Sequence, residues 1–448
     1  MKYKSTRGGV SDVSFSDSLL MGLASDGGLL VPQSIPQVRD HLTDWQQADF
    51  VTLAQQVIGL FVDDIDTPVL NRIIADAYAT FDHPDVVGLT QLGDATLLEL
   101  FHGPTLAFKD VALQLLGRLF EHVLNERGQH LNILGATSGD TGSAAIAGVR
   151  GQHNVDIYIL YPDNKISPLQ ELQMTTVADN NVHCVAVDGS FDDCQTLMKS
   201  VFGDIEFKQQ HQLGAINSVN WARVMAQIVY YGYASLRHDG DVANFCVPTG
   251  NFGNVFAAYL AKAMGFPIGQ LLVATNKNDI LARFFATGQY TRGDVHFTLS
   301  PAMDIQIASN FERYLYYYLQ QDSAQLLEFM QAFASTGSAS LPHAPDDGIF
   351  QAAAVDNEAT LNAIREVYEQ YNYVLDPHTA VGYAASRTVP MDHLTLIGTA
   401  HPAKFPDAID DAIGVRPTHP SLDALGNLPS RRQQIPATVD AVRGLLTG

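Results

Sequence analysis

The chain of 448 residues has little of what would mark several classes of protein. Its three cysteines, Cys184, Cys194 and Cys246, are too few for a disulfide framework and form no CxxC pair that would indicate a metal site. It has 26 basic against 48 acidic residues, and the net charge of -22 argues against nucleic acid and anionic membranes as partners. No apolar run approaches a membrane span, and no signal peptide is visible at the start. These absences predict a soluble cytoplasmic protein without a metal.

The composition is that of a globular protein, with 46% hydrophobic and 17% charged residues and a length sufficient for two or three domains. The first hundred residues are predicted to be mostly helical, with apolar spacing over 50–62 and 69–80. Later strands are predicted at 131–134, 155–161, 182–187, 215–217, 243–247, 271–274 and 394–397. Helices are predicted between most of them, at 141–149, 168–178, 192–202, 219–236 and 254–264. This alternation predicts an α/β fold with a mostly parallel sheet flanked by helices.

The segment 101–110 holds one lysine, Lys109, in apolar and proline-bent surroundings. An ammonium group in such a place loses solvation, so its pKa falls and the neutral amine becomes available. A free amine can condense with an aldehyde cofactor such as pyridoxal phosphate. The alternative interpretation is a surface lysine that pairs with Asp110 at the start of a helix over 111–124.

The loop 135–143 follows a predicted strand and opens a helix. In open parallel sheets, ligands bind beyond the carboxyl ends of the strands, and a helix start attracts anions. Thr137, Ser138 and Thr141 are therefore candidates to bind a substrate carboxylate. The alternative is an ordinary capped loop with Asp140 or Thr141 as the N-cap.

A second loop, 248–254, lies between a predicted strand and an alanine-rich helix. It lacks the lysine of a P-loop and is not the dinucleotide-binding GxGxxG, so a monophosphate suits it better than a nucleoside triphosphate. Backbone amides, hydroxyls and amide side chains could form a phosphate cradle there. The alternative is a structural turn. The candidate residues are Gly250, Asn251, Phe252, Gly253 and Asn254.

Two further loops complete the set. Asn220 and Arg223 lie three residues apart near a predicted helix start, and both are candidates to clamp an anion such as a substrate phosphate. The alternative is a surface arginine that pairs with a nearby acid. After the last strand, Thr399 could offer a hydroxyl to a heteroaromatic nitrogen, and Lys404 could be a second cation. His401 could carry a proton, although a structural histidine is the commoner case.

With these residues the chain resembles the threonine synthase family, pyridoxal-phosphate enzymes of fold type II, the tryptophan-synthase-β-like class. The resemblance runs over nearly the whole chain and is most specific in the Pro-Thr-x-x-Phe-Lys-Asp motif at 104–110. It implies that Lys109 carries the cofactor, residues 250–254 bind its phosphate and Thr399 meets its ring nitrogen. It also implies a lyase that converts O-phospho-L-homoserine and water to L-threonine and phosphate, the last step of threonine biosynthesis.

The resemblance places Asp140 near the phenolic oxygen of the cofactor, where many relatives have asparagine. Two negative oxygens there would repel, so either one is protonated or Asp140 points elsewhere. We divide the chain into a mostly helical region 1–95, a lobe 96–215 with the lysine and the carboxylate loop, and a lobe 216–448 with the phosphate loop and a helical insertion at 298–360. We expect a monomer or homodimer acting on a small molecule. Alternatives are another type II enzyme, such as a serine or threonine dehydratase, and a catalytically silent binding protein.

Overall fold

The computed structural model describes residues 1–137, 139–240 and 242–447. Within these residues two larger sheets and two small two-stranded antiparallel sheets account for the strands. The strands are β1 (Tyr3–Ser5), β2 (Leu30–Pro32), β3 (Gly88–Leu92), β4 (Ala95–Glu99), β5 (Leu131–Ala136), β6 (Val155–Pro162), β7 (Val182–Asp188), β8 (Leu213–Gly214), β9 (Ala243–Pro248), β10 (Ile268–Thr275), β11 (Gln289–Thr291), β12 (Ser338–Ser340), β13 (Phe350–Ala354), β14 (Leu394–Gly398) and β15 (Gln433–Pro436).

Helices cover both larger sheets and form most of the N-terminal region. They are α1 (Phe15–Met21), α2 (Leu42–Trp45), α3 (Phe50–Gly59), α4 (Thr67–Tyr78), α5 (Lys109–Arg127), α6 (Asp140–Val149), α7 (Pro168–Thr175), α8 (Phe191–Gly203), α9 (Ile205–Gln210), α10 (Trp221–Leu236), α11 (Gly253–Met264), α12 (Ile280–Thr287), α13 (Phe311–Tyr318), α14 (Ser323–Thr336), α15 (Asn357–Tyr371), α16 (Pro377–Thr388), α17 (Pro406–Ile413), α18 (Pro420–Asp423) and α19 (Val439–Thr447). No helix in the described part of the chain is long and apolar enough to cross a membrane.

The larger sheet has the strand order β13-β10-β9-β14-β4-β3. All its neighbours pair in parallel except β3, which returns antiparallel to β4 at the edge. Its central strands are apolar and buried on both faces, as β14 shows with all five residues buried. The carboxyl ends of the parallel strands, and the loops that follow them, therefore lie along one edge of the sheet.

The smaller sheet has the order β15-β7-β6-β5-β8 and is wholly parallel. Helix α10, whose residues are all buried, packs against α3, α5 and α11 in the main hydrophobic core. A helix that is apolar all round has no solvent face and belongs to the interior. Helix α10 thus joins α3, α11 and the helix α5, which begins at Lys109, within one core.

The predicted α/β class with mostly parallel sheets and a helical N-terminal region is confirmed, but several elements differ. Residues 215–217, predicted as a strand, lie outside any strand, because the pairing with β5 is made by β8 just before them. The segment 298–360, predicted as mostly helical, also contains β12 and β13, and the strands β3 and β4 were not foreseen. The division of the chain into three regions stays a prediction.

Candidate active site

Lys109 is the first residue of α5 and lies in the interior, with 7% of its surface exposed. The preceding bend is held by Asp110, whose carboxylate accepts from the backbone N–H of Thr105 at 2.8 Å and from its hydroxyl at 2.7 Å. Leu106 takes a left-handed φ of 60° in that bend. The interpretation of Lys109 as a surface lysine paired with Asp110 is therefore wrong, because Asp110 is engaged with Thr105 and Lys109 is turned inward.

The ammonium of Lys109 faces a carboxylate on another helix. Its Nζ lies 3.6 Å from Oδ2 of Asp140, while Oδ1 of Asp140 lies 3.0 Å from Nζ of Lys404 and accepts from Nε2 of Gln170 at 3.1 Å. Burial lowers the pKa of Lys109; Asp140 opposes that fall, whereas the charges of Lys404 and Arg223 add to it. Lys109, Asp140 and Lys404 thus form a cluster of three buried charged groups.

Asp140 itself stays ionised in this setting. Burial works to raise its pKa, but the ammonium groups of Lys404 and Lys109 outweigh it and hold the pKa of Asp140 well below its usual range. The side chain of Lys404 is fully buried and also donates to the carbonyl of Thr105 at 2.6 Å. Lys404, which the sequence suggested only as a possible second cation, is therefore the main counterion of Asp140.

The loop after β5 is organised around the hydroxyl of Thr137. This oxygen accepts from the N–H groups of Gly139 and Gly142, both at 3.1 Å. The N-cap of α6 is Gly139, so the interpretation with Asp140 or Thr141 as an ordinary N-cap is wrong. Thr141, half-buried in the first turn, stays a candidate for the substrate carboxylate, whereas Ser138 lies outside the described residues.

The loop after β9 presents backbone rather than side chains. The side chain of Phe252 is buried in an aromatic cluster, and Oδ1 of Asn254 accepts from the hydroxyls of Tyr230 and Tyr231. The carbonyl of Asn251 accepts from the N–H of Asn310 at 3.0 Å. The first N–H groups of α11, beginning at Gly253, have no intrahelical partner and can bind an anion.

Close packing explains the first glycine of this loop. A Cβ on Gly250 would lie 2.7 Å from the carbonyl oxygen of Ala302, and one on Gly253 would lie 3.1 Å from Nδ2 of Asn310. The sequence predicted a cradle here, but not that Oδ1 of Asn254 would be bonded to two buried tyrosines, while Asn251 stays exposed.

Thr399 ends β14 against the lysine segment. Its carbonyl accepts from the N–H of Phe108 at 2.8 Å, and its own N–H donates to the hydroxyl of Thr379 at 3.0 Å. The hydroxyl of Thr379 donates in turn to Asp376. Oγ1 of Thr399 is buried and has no hydrogen-bond partner among the described residues. A buried hydroxyl without a partner is costly unless a ligand completes it.

His401 has a structural role. Its Nδ1 accepts from the N–H of Ala403 at 3.2 Å, and burial, with help from His419 and His102, lowers its pKa to about 4. A histidine with such a pKa is neutral near pH 7, so the proton-carrier interpretation of His401 is not favoured.

Arg223 and Asn220 both lie at the start of α10 but have different surroundings. Asn220 is the N-cap: its Oδ1 accepts from the N–H of Ala222 at 3.1 Å, and its Nδ2 donates to the carbonyl of Leu19 at 2.9 Å. Arg223 is 5% exposed, and burial lowers its pKa to about 10. Among the described residues, the guanidinium of Arg223 makes one hydrogen bond, a 3.5 Å contact to the carbonyl of Ile216. No carboxylate in this part of the chain pairs with it.

These features fit pyridoxal phosphate. The buried lysine supplies an amine, the start of α11 supplies N–H groups for a phosphate, and the unpartnered hydroxyl of Thr399 suits a ring nitrogen. No group of three or more histidine, cysteine, aspartate and glutamate side chains within the described ranges is arranged to hold a metal. Sequence reasoning missed Gln170, Thr379 and Asp376, since nothing local to these residues marks them as support for the site.

Comparisons with known proteins identify the family of this chain. Family models match in three parts: the threonine synthase N terminus at residues 2–78, the pyridoxal-phosphate dependent enzymes at 96–344 and the threonine synthase C-terminal region at 379–446. A threonine synthase of Pseudomonas aeruginosa is 47% identical over 94% of this chain and 92% of its own, and one of Schizosaccharomyces pombe is 44% identical over 92% and 89%.

The crystal structure of threonine synthase from Brucella melitensis with bound pyridoxal phosphate is 43% identical, covers 100% of this chain and 98% of its own, and superposes with a TM-score of 0.97. The predicted family and cofactor class are confirmed, and the dehydratase alternative is not favoured, since both ends match models specific to threonine synthase. The chain therefore belongs to the threonine synthase family of pyridoxal-phosphate-dependent enzymes.

Proposed function

We propose that this protein converts O-phospho-L-homoserine and water to L-threonine and inorganic phosphate. The observation that carries the proposal is Arg223, a buried guanidinium near Lys109 without a carboxylate partner among the described residues. A buried cation of this kind is unfavourable alone and is stabilised by an anionic ligand. Since the start of α11 provides a separate anion site, Arg223 is available for a second phosphate, that of the substrate.

The cofactor residues follow from the same geometry. Lys109 would hold pyridoxal phosphate through its amine, the backbone of Gly250, Asn251, Phe252, Gly253 and Asn254 would hold the phosphate, and Thr399 would offer its hydroxyl to the ring nitrogen. When bound, the cofactor supplies an electron sink for negative charge that develops on substrate carbons. A neutral hydroxyl at the ring nitrogen withdraws fewer electrons than an ion pair would, which suits chemistry continuing to the β and γ carbons.

Lys109 also moves protons at the α and β carbons of the substrate. Burial lowers the pKa of Lys109, and the neighbouring cations of Lys404 and Arg223 lower it further, so the neutral amine is more accessible than in a solvated lysine. A base whose pKa lies closer to the working pH transfers protons in both directions more readily.

Asp140 and Lys404 act as one nearly neutral pair beside the cofactor. The sequence left open whether Asp140 is protonated or points elsewhere; we favour a third arrangement, in which Asp140 stays ionised and Lys404 balances its charge at 3.0 Å. The repulsion expected from two negative oxygens is then offset without a proton. The net charge of the Asp140–Lys404 pair is therefore close to that of the neutral asparagine that many relatives have at this position.

On the substrate side, Arg223 binds the phosphate as anchor and then as leaving group. Asn220 fixes the start of α10 so that the guanidinium is presented at the site. The loop residues Thr137, Ser138 and Thr141 bind the carboxylate, with Thr137 also holding the loop in shape. A cytoplasmic location, a monomeric or homodimeric state and the absence of nucleic-acid and membrane partners remain predictions from the sequence.

Arg223→Ala tests the proposal. We expect kcat/KM for O-phospho-L-homoserine to fall about a hundredfold, because a charge-assisted clamp contributes roughly 2–4 kcal/mol. Slow turnover of serine or threonine and the cofactor content should be preserved, and Arg223→Lys should rescue only partly, since it lacks the planar fork. Arg237→Ala, just beyond the other end of α10, is the matched control. Equal losses on phosphorylated and unphosphorylated substrates would instead support the dehydratase alternative.

A further inference from the structure

Apart from the site around Lys109, a cavity of about 760 Å³ opens beside Pro104 and Thr105. It lies between α5, α6, α7 and the segment 421–428. Among the described residues, none of those proposed above to contact cofactor or substrate forms its wall. Its volume is within the usual range for small-molecule sites. The cavity is therefore separate from the lysine site and needs its own explanation.

Three glutamines in the wall of this cavity have an amide atom that is buried and unpartnered. They are Nε2 of Gln114, Oε1 of Gln152 and Oε1 of Gln173, three of the eight such side-chain atoms found in the described part of the chain. Gln114 is only 2% exposed. Unpaired buried polar atoms are rare and unfavourable, so their concentration in one cavity points to a polar ligand.

The opposite end of each amide is bonded, which fixes its orientation. Oε1 of Gln114 accepts from Arg118 at 3.2 Å, Nε2 of Gln152 donates to the carbonyl of Gly148 at 3.0 Å, and Nε2 of Gln173 donates to the carbonyl of Thr105 at 3.3 Å. The residues that line the cavity thus contain one unpartnered amide donor and two unpartnered carbonyl acceptors.

Charges of both signs border the same space. Arg118 and Glu121 lie one turn apart on α5, and neither belongs to an ion pair among the described residues. Arg150 at the rim is already paired with Asp179 at 2.7 Å. A dianion would meet one guanidinium that has no ion pair and also a repelling carboxylate, and an apolar ligand would leave the three amides unsatisfied. A ligand that carries one charge of each sign satisfies all of these groups.

We propose that this cavity binds a zwitterionic α-amino acid with an uncharged side chain. Its carboxylate lies against Arg118 and the amide nitrogen of Gln114, and its ammonium lies against the carbonyls of Gln152 and Gln173, with Glu121 nearby. None of these side chains takes part in the proposed reaction, so the cavity is a second binding site.

The test uses holoenzyme reduced with borohydride, which fixes the cofactor to the protein so that amines cannot react with it. L-Serine, L-threonine and L-glutamine are titrated separately by calorimetry, each beside its N-acetyl and methyl ester derivative. We expect saturable binding of one molecule per chain for at least one amino acid, with a dissociation constant on the order of 0.1–1 mM. Loss of either charge should weaken binding by about tenfold or more.

Gln114→Leu and Arg118→Gln should each weaken binding by about tenfold, whereas Gln331→Leu, at an exposed position of α14, is the matched control. Arg118 is partly exposed, so its variant keeps the test informative where Gln114→Leu does not fold. Absence of binding for all three amino acids, or binding unaffected by both variants, would overturn the proposal. The outcome is independent of turnover, since the reduced enzyme is inactive by design.

Discussion

Asp140 lies between two buried ammonium groups, and replacing it by asparagine tests the charge balance of the site. At 3.0 Å from Lys404 and 3.6 Å from Lys109, its attraction to each is about 5 kcal/mol at an effective dielectric constant near 20. Without Asp140, Lys109 can lose its proton because its pKa is already lowered, but Lys404 stays buried without its main counterion. Breaking a buried pair in this way typically costs about 3–5 kcal/mol. We expect Asp140→Asn to lower the free energy of unfolding of the cofactor-free protein by that amount.

The Asp140→Asn/Lys404→Met double variant should recover most of the loss, since it removes the uncompensated charge rather than exposing it. Urea unfolding of the wild type, both single variants and the double variant gives the coupling free energy directly. Asp407→Asn, at a carboxylate that is 87% exposed, controls for the substitution itself and should change stability by no more than about 0.5 kcal/mol. A double variant as unstable as Asp140→Asn alone would refute the pairing argument.

Three other predictions concern single residues. Lys109→Ala should lose the visible absorbance of bound cofactor and turnover together, because Lys404 is held by Asp140 and Thr105; a borohydride-reducible adduct formed at the wild-type rate would contradict this. Thr399→Val should weaken cofactor retention in dialysis while Thr399→Ser does not, and cofactor-free stability should stay within about 0.5 kcal/mol of wild type because Oγ1 lacks a partner. His401 has a folded pKa of about 4, below its ordinary value of 6.5, so the unfolded chain binds the proton first and the stabilising contribution is lost as pH falls from 6.5 to 4. His401→Asn, which can keep the cap to Ala403, should flatten the pH dependence of urea unfolding in that window; an unchanged slope would argue against it.

Much of the fold could be predicted because its signals are local. Apolar runs such as β9 and β14 are continuous in sequence, and the helices between strands have clear periodicity. The membership of β15 in the smaller sheet could not be predicted, since its pairing with β7 depends on residues some 250 positions away. The mistaken strand at 215–217 shows the same limit, because pairing with β5, not local composition, places β8 at Leu213–Gly214.

The site shows a similar division. Lys109 and the loops at the sheet edge could be identified from residue types and their position after strands. The direction of individual side chains could not: Oδ1 of Asn254 accepts from two tyrosines of α10, which leaves its buried Nδ2 as the unpartnered end of the amide. Nor does sequence show that Lys404 lies 3.0 Å from Asp140, because that contact joins loops more than 250 residues apart.

In each larger sheet an early strand pairs with a strand from much later in the sequence, and this affects how the sheets form during synthesis. Strand β4 pairs in parallel with β14, and β7 pairs in parallel with β15. Neither sheet is therefore complete until a segment synthesised much later is available. During translation, the edge of β7 and the apolar residues that α19 covers stay open until β15 and α19 have left the ribosome. Contacts this distant in sequence form slowly and leave partly built sheets prone to association. Lys109 and Lys404 can therefore come together around Asp140 only after residue 404 has left the ribosome, long after Lys109 has been made.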